Sequence, residues 1–229
     1  MLKKYLCNSI AGPLLVILII LTIKASVFDF HPVPSSSMSP GIKAGDLVID
    51  SRMSFGLRVP LTNIYLYRWS SPKKGDIVMF ESPIPGFHLS TWIKRVIAVS
   101  GDTVEFKEKA LFVNGQEVYC DRTLGLDEYF CLESLGGVEY TSKWELSVSQ
   151  TMDTVSQVKV PEDSVLLIGD NRSYSNDGRV WGFKHVDSVY GKHVGTLSGW
   201  AKYHEVLFYI ILALFVLEAI RKKYYKDVS

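Results

Sequence analysis

Three segments of the 229-residue chain carry side chains able to do chemistry. The first is Pro32-Val33-Pro34-Ser35-Ser36-Ser37-Met38-Ser39-Pro40. The second is Trp92-Ile93-Lys94-Arg95-Val96-Ile97. The third runs from Gly169-Asp170-Asn171-Arg172 through Ser173-Tyr174-Ser175-Asn176-Asp177 to Gly178-Arg179. They supply hydroxyls, a basic amine and a polar loop, the materials of nucleophilic catalysis without a cofactor. Taken singly, each has a blander reading. Serines between prolines make surface turns, a Lys-Arg pair in a strand is commonly a solvated edge, and an Asp/Asn/Ser/Gly run is a loop. Their joint occurrence points to chemistry. Other chemistries find no support. The five histidines show no HExxH spacing and the three cysteines no CxxC, so no metal site is expected. Neither G-x-G-x-x-G nor a P-loop occurs.

The elements that must position these segments read as strands. Asp46–Ile49, Asp76–Phe80, Trp92–Val99, Thr103–Phe106, Ala110–Val113, Ser164–Ile168 and Val189–Val194 are short, alternating or β-branched runs. Asn114-Gly115 is a hairpin turn signal. Gly45-Asp46, Gly75-Asp76 and Gly101-Asp102 punctuate strand starts. Residues 120–160 read as a more irregular excursion, and Leu61–Trp69 is the one stretch outside the ends with a helical look.

Composition sets the context. Hydrophobic residues are 47% and charged residues 21%, which excludes a disordered chain. Lys plus Arg number 25 against 24 Asp plus Glu, so a basic nucleic-acid binder is not expected. The apolar excess sits at the ends. Tyr5–Ile23 follows Lys3-Lys4 and has no A-x-A-like site behind it, which favours an uncleaved membrane anchor over a signal peptide. Val206–Leu217 lies between Trp200/Tyr203 and the basic cluster Arg221, Lys222, Lys223 and Lys226. The rival for that run is a buried amphipathic helix. Both basic flanks point to the cytoplasm, leaving residues 28–200 outside. In that oxidising compartment a disulfide between Cys120 and Cys131 is permitted.

The segments, in order, resemble the type I signal peptidases. The resemblance covers most of residues 10–195. It rests on P-S-x-S-M-x-P at 34–40, a basic stretch at 52–58, G-D-I-V-x-F at 75–80, I-K-R-V-I at 93–97, G-D at 101–102 and G-D-N-R-x-x-S-x-D at 169–177. The resemblance implies a mainly β catalytic domain, a barrel or sandwich with an irregular insert, flanked by N- and C-terminal transmembrane helices. It implies a serine protease with a Ser/Lys dyad. By position Ser37 is the nucleophile and Lys94 the general base. Ser35 helps hold the oxyanion, Ser175 orients the lysine, and Asp177 and Arg179 form a supporting pair. The implied substrates are signal peptides of exported pre-proteins, cut after small residues at an A-x-A-like site on the outer face of a bacterial inner membrane.

The residue types suit those roles. In an extended segment Ser35 and Ser37 would face the same way. Lysine starts near 10.4 and must fall to about 7–8 to act, roughly 4 kcal/mol of desolvation. Trp92, Ile93, Val96 and Ile97 could supply that burial, with Arg95 solvated on the opposite strand face. A substrate strand is expected beside Val33-Pro34-Ser35 and Phe80-Glu81-Ser82 by β-addition. The expected organisation is an N-terminal tip and transmembrane helix over 1–27, a catalytic β domain over 28–106 and 161–199, an inserted β-rich subdomain over 107–160, a second transmembrane helix over 200–221 and a tail over 222–229. Ser36 stands where the family commonly has glycine, and Gly178 where it commonly has serine. With the C-terminal run, these leave open a dedicated pilin-type or conjugative-transfer peptidase. A non-enzymatic membrane-anchored β scaffold is the third alternative.

Overall fold

The computed structural model describes residues 27–59, 64–82, 91–107, 109–147 and 155–200, with isolated helical positions in the two apolar ends. Among the described residues no helix is long and apolar enough to cross a membrane. The runs read as spans, Tyr5–Ile23 and Val206–Leu217, lie outside the described residues apart from those isolated positions.

Strands dominate because β-branched and aromatic residues alternate with polar ones between glycine turns. In chain order they begin with β1 (Phe28–Pro32), β2 (Leu47–Ser51), β3 (Gly56–Arg58), β4 (Tyr65–Arg68), β5 (Ile77–Glu81) and β6 (Thr91–Val99). Next come β7 (Thr103–Lys107), β8 (Ala110–Val113), β9 (Gln116–Glu117), β10 (Cys120–Leu124), β11 (Glu128–Leu135) and β12 (Val138–Glu145). The last four are β13 (Val155–Lys159), β14 (Ser164–Ile168), β15 (Lys184–His185) and β16 (Val189–Leu197). A seven-stranded sheet has the order β1-β2-β16-β5-β6-β14-β15. Beside it lie the sheets β10-β11-β12, β13-β7-β8-β9 and β3-β4.

The strands expected from the sequence all form. Asn114 and Gly115, at φ 55° and 75°, make the tight turn between β8 and β9. The three Gly-Asp pairs are one device used three times. Gly45, Gly75 and Gly101 sit at φ 89°, 89° and 86°, and each following carboxylate accepts a backbone N–H three residues back, from Lys43, Lys73 and Val99.

Two expectations need correction. Residues 120–145 are not irregular: β10, β11 and β12 form a regular antiparallel meander. β11 alternates in burial along its length, yet its inward positions include Cys131 and Glu133, so its apolar period is weak in the sequence. The permitted Cys120–Cys131 disulfide is formed and ties β10 to β11. The helical look of Leu61–Trp69 is also overturned. Tyr65–Arg68 is a strand, because Tyr65 and Tyr67 pair with Arg58 and Leu57 across a hairpin.

The core crosses the sheets. Ile97, Ala98, Leu166 and Ile168 of the large sheet pack with Phe106, Leu111, Tyr129, Tyr140 and Trp144. The turn at Gly75 docks on the β11–β12 turn, and a Cβ at Gly75 would lie 2.8 Å from the Leu135 carbonyl. Gly101 has the same backbone conformation with nothing within 4 Å. Gly75→Ala is therefore expected to cost about 2 kcal/mol or more, and Gly101→Ala about 1, by denaturant unfolding. Equal losses would mean that the close docking at Gly75 relaxes freely.

Candidate active site

Lys94 lies in β6, between β5 on one side and β14 on the other. An interior strand satisfies its backbone on both edges, and here what packs on its faces buries the side chains as well. Val78, the partner of Lys94 across β5, is fully buried, and Lys94 itself is 3% exposed. Two residues further on, Val96 pairs with Leu167 and Ala98 with Leu166, leaving Ile97 as the extra residue of a bulge.

Ser37 reaches this amine from the segment that follows β1. That segment is a turn, not the extended stretch expected. Ser39 N donates to Ser36 O, and Ile42 N donates to Met38 O. Met38, fully buried, plugs the turn into the core. Ser37 Oγ accepts from Lys94 Nζ at 2.7 Å. It also accepts from Ser35 Oγ at 3.3 Å, so the two hydroxyls converge although the backbone between them is bent. Lys94 Nζ donates in addition to Ile93 O at 3.0 Å. Burial pushes the Lys94 amine down from its ordinary value to about 8, against the pull of the Asp177 and Asp170 carboxylates, which favour the charged form.

The Gly169–Asp177 loop closes the site. Asn171 N donates to Ser37 O at 3.1 Å, and Asn171 Nδ2 to Ser36 O at 3.2 Å. A Cβ at Gly169 would lie 2.2 Å from Ser175 Oγ and 2.5 Å from Ser37 O, so only glycine admits this approach. Asp177 is fully buried and grips Arg179, from Oδ1 to Nε at 2.9 Å and from Oδ2 to Nη2 at 2.9 Å. Its Oδ2 also accepts from Gly169 N, tying the two ends of the loop together. Arg179 Nη2 returns to Arg172 O at 2.7 Å.

The structure thus brings Ser35, Ser37, Lys94, Asp177 and Arg179 into one neighbourhood. Ser175 is buried there too, but among the described residues its Oγ has no hydrogen-bond partner and the expected bond to Lys94 is not formed. Arg95 is corrected. It is not solvated but 5% exposed, with Nε and Nη2 on the Asp170 carboxylate at 2.8 and 2.7 Å and Nη1 on Gly75 O. Alternation placed it on the other face correctly, but that face is covered by the meander, where Arg95 stacks 3.9 Å from the Tyr140 ring centroid.

Phe80 is corrected as well. It pairs with Val189 on one side and Trp92 on the other, and it is fully buried, so no substrate strand can add there. Val33 and Ser82 are buried, whereas Pro34 is exposed beside Ser35. Residues missed as contributors are Arg95, Gly169, Asp170 and Asn171. For Gly169, Asp170 and Asn171 the signal is the G-D-N-R run at 169–172; for Arg95 it is the I-K-R-V-I run at 93–97.

Residues 7–198 match the family described as signal peptidase, peptidase S26. A signal peptidase I of Pseudomonas fluorescens is 33% identical over 174 residues, 72% of this chain and 60% of that protein. The signal peptidase I of Pseudomonas aeruginosa is 30% identical over 174 residues, with the same coverage of 72% and 60%. A probable signal peptidase I-1 of Synechocystis is 30% identical over 186 residues, 78% of this chain and 76% of that protein. The chain spans about 60% of the length of the two Pseudomonas relatives. A buried serine–lysine contact, a glycine-dependent loop packed on it, and a match over residues 7–198 agree: the chain belongs to the signal peptidase family, peptidase S26.

Proposed function

We propose that the chain is a signal peptidase I, a serine endopeptidase that removes signal peptides from exported pre-proteins with Ser37 as nucleophile and Lys94 as general base. The observation that carries the reading is the 2.7 Å contact between a buried amine and a buried hydroxyl. A scaffold gives no reason to bury a lysine against a serine at such cost.

With the amine neutral, the same contact runs in the productive direction: the hydroxyl donates and Nζ accepts. Lys94 takes the proton as Ser37 Oγ attacks the carbonyl carbon of the scissile bond. Negative charge gathers on the carbonyl oxygen, where the Ser37 N–H and the Ser35 hydroxyl donate; one such donor contributes about 3–4 kcal/mol. The Lys94 ammonium then protonates the leaving amine, and water, activated by the same amine, releases the acyl group. The ammonium has three donors. Ser37 Oγ and Ile93 O accept two of them. The Ser175 hydroxyl, buried and unbonded, is the candidate for the third. The Asp177–Arg179 pair holds the loop that carries it.

The substrate peptide adds in extended form along the edge of β1, which ends the seven-stranded order among the described residues, and runs past Val33 and Pro34 to Ser35. The chain sits in a bacterial inner membrane through the two apolar end runs, with the β domain at the outer face. Chain length limits Ser37 to about 45 Å from the boundary at Lys24. Substrate and enzyme then meet in two dimensions.

Ser37→Ala and Lys94→Ala are each expected to lower kcat on an internally quenched Ala-x-Ala peptide by about a thousandfold or more. Turnover retained in both would reject the dyad. The pH profile follows from the amine. kcat/KM should rise about tenfold per unit up to pH about 8 and level off above it, as Lys94 loses its proton. A flat profile from pH 6 to 9 would count against Lys94 as the base.

Replacing the amine should move stability the opposite way from activity. The folded state binds the Lys94 proton less tightly than the unfolded chain does. That lysine therefore opposes folding fully below pH about 8, and the penalty fades as pH rises toward the unfolded value. Lys94→Met should gain up to about 3 kcal/mol at pH 7, seen as a higher melting temperature, with the gain shrinking by pH 10. A variant that melts no higher than the wild type at pH 7 would contradict the buried, depressed amine.

A further inference from the structure

Glu133 is a carboxylate where a core residue belongs. Along β11 the inward positions are Tyr129, Cys131, Glu133 and Leu135, and Glu133 is 3% exposed among them. Its neighbours across the sheet are Cys120 of β10 and Tyr140 of β12. Burying a carboxylate in an apolar face is expensive unless it is paired and hydrogen-bonded.

Every partner of Glu133 is in place. Arg172 Nη2 donates to Oε2 at 2.6 Å, Tyr140 Oη donates to Oε2 at 2.5 Å, and Ser142 Oγ donates to Oε1 at 2.5 Å. Arg172, 1% exposed, is the middle of the Gly169–Asp177 loop. Its carbonyl accepts from Arg179, and Arg179 holds Asp177, one of the two carboxylates felt by Lys94. The residue before Arg172 donates its backbone N–H to Ser37 O. The same meander grips the loop elsewhere too: Lys143 N donates to Asp170 O at 2.8 Å, Glu145 N donates to Ser173 Oγ at 2.9 Å, and Glu145 Oε2 accepts from Tyr174 Oη at 2.9 Å.

A buried ion pair is weak evidence for stability, because apolar residues of like volume often serve a core as well. Its use here is geometric. The loop has only the short Arg172–Tyr174 turn as regular structure, so side chains must fix it. We propose that Glu133 is a positioning residue for catalysis, whose carboxylate fixes Arg172 and so holds the Gly169–Asp177 loop against Ser37 and Lys94. The proposal rests on the Ser37/Lys94 reading. Glu133 touches no reacting atom. Without it the loop loosens, water reaches Lys94, and the amine returns toward its ordinary, protonated state. The groups facing Glu133 are Tyr140 and Ser142 from β12 and Arg172 and the Asp170 carboxylate from the loop; those facing Lys94 are Ser37, Asp170 and Asp177.

The test uses the full chain in detergent with the quenched Ala-x-Ala peptide, and Ser37→Ala and Lys94→Ala as references. Glu133→Gln should lower kcat on the order of tenfold to a hundredfold with KM within about twofold. Its acid limb should move upward by about half a unit or more as Lys94 is rehydrated. Glu133→Asp, which keeps the charge, should recover part of kcat. If Glu133→Gln does not fold, Tyr140→Phe and Ser142→Ala each remove one hydrogen bond to the carboxylate. They should then show about twofold to fivefold lower kcat with a limb displaced the same way. A folded Glu133→Gln with wild-type kcat and limb overturns the proposal, as does a loss confined to KM or an unmoved limb in both substitutes. If the reference variants keep turnover, the dyad reading fails first. If they are dead while the Glu133 variants behave as wild type, only the role of Glu133 falls.

Discussion

A lysine amine kept from water beside a serine hydroxyl is the constraint to which the rest of the molecule answers. Desolvation alone would suffice to lower the amine, but the site also contains two carboxylates that work against it. The fold resolves the conflict by giving each carboxylate its own guanidinium. Asp170 is held in a two-pronged pair by Arg95, and Asp177 by Arg179. Each pair is close to neutral as a unit, so little net negative charge faces Lys94 and burial wins. An acid left unpaired at either position would favour the charged amine.

The same pairs explain how a loop can line an active site with strand-like precision. A loop buried among sheets must still satisfy its backbone groups. Here the outer edge of β12 supplies a donor to the Asp170 carbonyl and a bridge to Asn171, and Asn171 hands a donor on to the serine turn. Ser37 and the meander are therefore joined through one residue of backbone, Asn171. Glycine at 169 lets Ser175 and Ser37 approach closely, and any side chain there would push them apart. Rigidity at the reaction centre comes from hydrogen bonds between elements far apart in the chain.

Much of this was legible in the residues. Period-two runs and Gly-Asp turns marked β2, β5, β6, β7, β8, β14 and β16, because buried alternating strands leave a strong pattern. Strand β11 left a weak one, since Glu133 and Cys131 occupy inward places that a pattern search expects to be aliphatic. Strands β3 and β4 were hidden for a different reason. They are only three and four residues long, the inward places of β3 are Gly56 and Arg58, and β4 has no fully buried residue, so no apolar alternation marks them. Ser37 and Lys94 were found because their flanking residues form an ordered likeness. Arg95 was misjudged because alternation tells which face a side chain takes, while what covers that face depends on strands with large sequence separation. Phe80 shows the same limit, since nothing local says that both edges of β5 are occupied.

The distribution of unfavourable features separates chemistry from architecture. The Gly-Asp turns satisfy local preferences and recur wherever a strand begins. At Ser37 and in the meander behind its loop the preferences are violated: a lysine in an interior strand, a serine hydroxyl at 175 buried with no partner among the described residues, and a carboxylate in the meander's apolar face. An unbonded buried hydroxyl costs about 1–3 kcal/mol, and a depressed lysine a similar amount. A fold selected only for stability would have replaced each with an apolar residue. Lys94 and Ser175 lie against Ser37 and Gly169, and Glu133 reaches the same loop through Arg172. Such convergence is what a reaction requires and what packing alone does not produce.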